Sequence, residues 1–93
     1  MRLRYTRVAL RELAEIFSYL SDRNPRAADA VIDRVEEVVA HLLDFPEMGH
    51  RTDEPGVRIA SLGRYPYLIF YIVEGEEVAV VHVRHAARLK PWE

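Results

Sequence analysis

The chain has no cysteine, one tryptophan, one lysine and only four glycines among its 93 residues. Without cysteine there is neither a disulfide framework nor a thiolate zinc site, so the fold must rest on an apolar core. No N-terminal apolar segment reaches the length of a signal or membrane-spanning helix, which makes the cytoplasm the expected address and excludes a membrane from the expected partners. An excess of positive charge is missing too: 13 basic against 15 acidic residues leave a formal charge of −2 and a pI near 6.1. Proteins that hold nucleic acid through phosphate contacts have a domain pI above about 9, so any direct contact of that kind must be local. Repeats and low-complexity tracts are also lacking.

What is present suits one compact domain over residues 1–93, since 49% apolar content fills a single core at this length and not two. The basic residues are unevenly placed. Arg2, Arg4 and Arg7 open the chain without an acid, while residues 9–44 are predominantly acidic.

Arg2 to Thr6 alternates polar and apolar and reads as a short strand with Leu3 and Tyr5 turned inward. Helical spacing follows in Leu10, Leu13, Phe17 and Leu20, with Ile16 beside them and Arg11, Glu12, Glu15 and Ser18 left for the wet side. Ser21-Asp22-Arg23-Asn24 is expected to link this helix to a second. Asn24 is a favoured N-cap and Pro25 suits the first helical position, where its missing N–H costs nothing. Ala28, Val31, Val35, Val38 and Leu42 then step by three and four to about Asp44, widened by Ile32, Val39 and Leu43.

A short link makes the two helices a hairpin whose apolar stripes must cover a sheet. Phe45 to His50 ends the second helix, and Arg51 to Gly56 reads as a polar loop. Val57 to Leu62 is the next strand. Tyr65 to Val73 is aromatic or β-branched at nearly every place, the signature of a central strand covered on both faces. Glu74-Gly75-Glu76-Glu77 is a tight turn, and Val78 to Val83 resumes the strand. The expected fold is α+β in the order β-α-α-β-β-β: a helical hairpin packed on a mainly antiparallel sheet. Strict alternation puts His82 and Arg84 on the face of Val78 and Val80, and His85 on the other.

The order and spacing of several short pieces resemble the RelE/ParE superfamily of bacterial type II toxins, specifically its ParE-like branch, over essentially the whole chain. The pieces are Leu10-Arg11-Glu12-Leu13-Ala14-Glu15-Ile16, Asn24-Pro25-Arg26-Ala27-Ala28, and Leu42-Leu43-Asp44-Phe45-Pro46-Glu47-Met48-Gly49. They continue with Gly56-Val57-Arg58, Tyr65-Pro66-Tyr67-Leu68-Ile69-Phe70-Tyr71 and Val83-Arg84-His85-Ala86-Ala87-Arg88. The resemblance implies a growth-inhibiting, plasmid-stabilising type of toxin. Its partner would be a cognate, ribbon-helix-helix, ParD-like antitoxin that wraps it in a hetero-oligomer and carries the DNA-binding segment. By analogy the antitoxin would cover Leu10, Leu13, Phe17, Val57 and Ile59, where a helix groove meets a sheet edge.

Two mechanisms occur in that superfamily. ParE-like members poison DNA gyrase by binding it, and the expected target contacts here are Arg84, Arg88 and Trp92, since Arg and aromatic anchors carry most of the energy of such interfaces. RelE-like members cut messenger RNA on the ribosome. That chemistry needs a base, an acid and cations at the phosphate, for which Arg58, His82, Arg84 and His85 have the right types. Against it, His82 and His85 fall on opposite faces, and Lys90 is the only lysine. A third alternative is a non-toxic remnant that only binds an antitoxin. Each candidate also has a structural reading: the histidines as hydrogen-bonded strand-end residues, and Arg58 as an anchor to loop carbonyls or to Asp53 or Glu54. No cofactor or metal is expected, because the histidines lack facing and partner ligands.

Overall fold

The computed structural model describes residues 1–88. Trp92, one of the expected target contacts, lies outside the described residues. The elements are β1 (Arg2–Tyr5), α1 (Arg7–Arg23), α2 (Pro25–Asp44), β2 (His50–Arg51), β3 (Val57–Leu62), β4 (Tyr65–Glu74) and β5 (Glu77–His85). They build one sheet in the order β1-β5-β4-β3-β2, with the helical hairpin on one face. β1 runs parallel to β5, and every other neighbouring pair is antiparallel.

Local chemistry accounts for the helix boundaries. Thr6 caps α1 by accepting the Ala9 amide on its hydroxyl, so the helix starts three residues before the apolar stripe at Leu10. The link to α2 is shorter than expected and consists of Asn24 alone. Ser21, Asp22 and Arg23 stay helical because Arg23 suits the negative end of the helix dipole, and its guanidinium stacks on Tyr19 and bonds that residue's carbonyl. Asn24 then serves both helices. Its backbone N–H donates to Leu20 O, and its side chain accepts from the Arg26 and Ala27 amides with Pro25 between.

The expected stripe of α2 is buried at Ala28, Val31, Val35, Val38, Val39 and Leu42. It packs with Ala9 of α1 on Ala60, Leu62, Tyr67, Ile69, Tyr71, Val78, Val80 and Val83 of the sheet. β4 is central, and Ile69, Phe70 and Tyr71 are buried in succession, so both of its faces are covered there. Gly75 opens the two-residue β4–β5 turn with φ 58, a conformation glycine adopts without steric cost.

The segment after α2 is held by a buried knot that no periodicity announces. Tyr71 Oη donates to Pro46 O at 2.8 Å and accepts the Gly49 amide at 2.9 Å. A Cβ on Gly49 would lie 2.7 Å from Tyr71 Cε1 and 2.9 Å from the Ile59 carbonyl, so glycine is required by the close approach of the chain. Burial first, against lowering by the Gly49 hydrogen bond, pushes the Tyr71 phenol above its ordinary value. His50 and Arg51, expected as loop or exit from α2, add a short edge strand beside β3.

Candidate functional site

The site grows from an irregularity in β5. Phe70 pairs with His82 but Tyr71 pairs with Val80, so Val81 is an extra residue, a β-bulge. The bulge corrects the expected parity. Val78, Val80 and Val83 face the helices, whereas His82 pairs with Phe70 and Arg84 with Leu68 on the opposite face. His85 returns to the helix side, edge-on to Tyr67 at 5.4 Å. Thr6 fixes the bulge by donating its hydroxyl to Val81 O and its amide to Val80 O.

β1 ends at Tyr5, opposite Val80, so among the described residues no strand lies on the outer side of the last half of β5. Glu12 of α1 fills that edge. Its carboxylate accepts the Val83 amide at 3.1 Å, His82 Nδ1–H at 3.1 Å and Arg84 Nε–H at 3.0 Å. The Glu12 side chain is 12% exposed, and those of His82 and Arg84 are about a quarter exposed, at 25% and 23%. A carboxylate that far from water requires strong donors, and two side-chain donors plus a strand amide supply them. Helical phase alone puts Glu12 on the wet side. The available signal was its place at the border of the stripe, one turn before Ile16 and beside Leu13.

Beside this clamp runs a groove of about 440 Å³ between α1 and the end of β5, lined by Glu12, Glu15, Ile16, Tyr19, Tyr67, Val83, Arg84, His85 and Arg88. Burial, with a smaller contribution from Tyr19, pushes the Tyr67 phenol above its ordinary value, and like any tyrosine it is a hydrogen-bond donor at neutral pH. The groove therefore offers aromatic surface, a phenol donor and arginines at one rim.

Of the four residues suited to phosphodiester chemistry, His82 and Arg84 meet at Glu12. His85 is turned to the other face of the sheet, and its Nδ1 accepts the Ala87 amide at 3.0 Å. Arg58 stands across β4 in β3 and donates to Glu47 O and Gly49 O, which makes it a brace for the segment after α2. Arg84 and Arg88 share the groove. Leu10 and Phe17 are 53% and 41% exposed on α1, and Leu13 packs against the core. Val57 and Ile59 pair with Ile72 and Phe70 on the sheet face away from the helices, so the five residues assigned to an antitoxin occupy two surfaces. Among the described residues no cluster of His, Asp and Glu has the arrangement of a metal site, and no helix is long and apolar enough to cross a membrane.

Known proteins resemble the chain along most of its length. Toxin Y4kP of Sinorhizobium fredii is 33% identical over 90 residues, covering 97% of this chain and 93% of that protein. Toxin RelE2 of Caulobacter vibrioides is 32% identical over 81 residues, covering 87% and 90%. Among solved structures, the chromosomal ParDE toxin-antitoxin system of P. aeruginosa superposes with a TM-score of 0.80 at 26% identity, over 91% of this chain and 95% of that one. The intact E. coli RelBE toxin-antitoxin complex shares the fold, with a TM-score of 0.71 at 21% identity over 94% and 98%. Residues 3–90 match the family of ParE toxins of type II parDE toxin-antitoxin systems, and the chain belongs to that family.

Proposed function

We propose that the protein is a toxin that arrests growth by binding DNA gyrase, and that a cognate antitoxin neutralises it by occupying α1. The observation that carries the binding mechanism is the dispersal of the groups that cleavage would need. Transfer to a 2′-hydroxyl requires base, acid and phosphate-binding cations around one phosphorus, and a general base must lie within about 3 Å of its proton. Arg58, in β3, is braced by two backbone carbonyls. His85, although it lines the groove with Arg84, stands on the opposite sheet face from His82 with its Nδ1 taken by the Ala87 amide, so the two histidines are not set together as acid and base. The groove beside them has the anchors of a protein interface instead: Tyr19, Tyr67, Arg84 and Arg88 around the apolar floor of Ile16 and Val83.

The antitoxin reading draws support from Leu10 and Phe17, two large apolar side chains left exposed two turns apart on α1. A disordered segment that folds as a helix would bury both, and passage around the sheet would reach Val57 and Ile59. The ParDE and RelBE neighbours are toxin-antitoxin systems, which favours such a partner here.

One contact favours ribosome-dependent cleavage of messenger RNA as the second reading. Glu12 holds His82 by Nδ1, which fixes the ring as a carboxylate fixes a catalytic imidazole. Induction of the chain in cells separates the two. Gyrase poisoning predicts an SOS response and loss of supercoiling activity, with growth restored by co-expressed antitoxin. Codon-positioned cuts in translated messages, without an SOS response, would replace the first reading by the second.

A further inference from the structure

We infer that Glu12 is a positioning residue for the target-binding rim: through Arg84 it sets the guanidinium plane that the groove between α1 and β5 presents. The inference rests on the proposed role of Arg84 in target binding, and it assigns a function to a helix residue outside the expected contacts.

A strand edge beyond its last partner leaves amides that need acceptors, and Val83 N–H is one. A neutral serine, threonine or glutamine in the same place is chemically sufficient for that single amide. The residue present is a charged carboxylate, largely withdrawn from water, which also gathers His82 Nδ1 and Arg84 Nε. An ion placed there carries a desolvation cost that one amide does not justify, so the two side-chain donors are the reason for its charge.

Grip at Nε matters for orientation. Arginine has a long, rotamer-rich stem, and an unheld guanidinium sweeps a wide volume before it binds. A hydrogen bond to Nε, which lies in the plane of the group, restricts that plane and removes part of the ordering cost from the binding step. The bulge at Val81 makes this geometry available, because it moves His82 and Arg84 together to the face away from the helices, from which both reach around the edge to Glu12. Glu12 also lies on the groove lining together with Arg84, so its effect is felt where a target would sit.

The test is a double-mutant cycle with the full chain. Growth inhibition at matched intracellular level and inhibition of gyrase supercoiling are measured for wild type, E12Q, R84A and E12Q/R84A. Glutamine keeps the shape and an acceptor for Val83 N–H and removes the charge. E12Q is expected to reduce potency about tenfold, R84A at least as much, and the double variant no further than R84A. The Arg84 Nε–H resonance, protected in wild type, is expected to exchange rapidly in E12Q while the amides of α2 and β4 keep their protection. Losses that multiply in the double variant, or full potency of E12Q, overturn the inference. R84K guards against an E12Q chain that does not fold: it keeps the charge beside Glu12 and lacks the planar fork, so it should lose as much potency as R84A. Full potency of R84K overturns the inference as well. Full potency of R84A sinks the underlying target-binding reading instead, and a wild-type chain that arrests growth without inhibiting gyrase sinks the gyrase target while the growth arm still decides the role of Glu12.

Discussion

Replacing Tyr71 by phenylalanine removes one oxygen from the knot behind α2 and should cost far more stability than its size suggests. The phenol donates to Pro46 O and accepts from Gly49 N, and Tyr71 has no exposed surface. Phenylalanine fills the same volume but leaves the Gly49 amide buried without an acceptor and the Pro46 carbonyl without its donor. An orphaned buried group costs about 1–3 kcal/mol, and the carbonyl, nearer to water, recovers part of its loss, so a net effect of about 2 kcal/mol is expected. For a domain of this length that corresponds to a fall in melting temperature of about 10 °C. A second signature is available at high pH. The Tyr71 phenol is raised in the fold by burial, as are those of Tyr5 and Tyr67. The unfolded tyrosines ionise first, so the stabilisation is complete below their ordinary value near 10 and falls as pH rises towards the folded values. Each such group contributes a slope of at most about 1.4 kcal/mol per pH unit in that window. Thermal unfolding followed by circular dichroism at pH 7 and across pH 9–11 reads both effects. The Tyr71→Phe chain should melt lower at pH 7 and lose stability less steeply above pH 10. A melting point within 2 °C of wild type, or an unchanged alkaline slope, would refute the account of the knot.

Gly49→Ala should disturb the same place by overlap, since the new methyl meets Tyr71 and the Ile59 carbonyl; a loss of about 1–3 kcal/mol in a urea titration is expected, and a neutral result would mean the segment moves freely. Asn24→Ala removes the cap of α2 and should cost about 1 kcal/mol in the same titration, with faster amide exchange at Arg26 and Ala27. Leu10→Asp with Phe17→Asp should weaken antitoxin binding by tenfold or more in calorimetry while toxicity stays, because neither residue lines the groove; unchanged affinity would move the antitoxin off α1.

Much of the fold was readable because its signals were local and mutually consistent. The stripe of α2, the Asn24-Pro25 start and the Gly75 turn each rest on residues within a few positions of one another. What escaped depends on chain segments far apart in sequence. Nothing in Val78 to Val83, apolar at every position but His82, marks which residue is extra, so strict alternation sent His82 and Arg84 to the wrong face. Thr6, some 75 residues earlier, fixes the bulge. Glu12 looked solvated because helical phase says nothing about a strand edge that lacks a partner. Arg58 had carbonyls or carboxylates open to it, and it takes the carbonyls of Glu47 and Gly49. The candidate site was thus legible in residue type and illegible in direction.

Deleting Val81 tests whether direction or content matters. The pairs on either side, Tyr71 with Val80 and Phe70 with His82, are already those of a regular ladder, so the shortened strand can close without moving any neighbour to the other face. Stability should fall modestly, by about 1 kcal/mol, for the lost hydrogen bond from Thr6 to the Val81 carbonyl. The end of β5, however, loses the local bend and extra twist that a bulge imparts, which changes its angle to α1. Glu12, fixed on its helix, then no longer faces Val83, His82 and Arg84 together. A folded chain with unchanged β4 amide protection and sharply reduced growth inhibition is therefore expected. Full toxicity of the deletion variant would mean that the bulge is incidental to the rim, and failure of β4 and β5 to pair would mean that the extra residue is needed by the sheet itself.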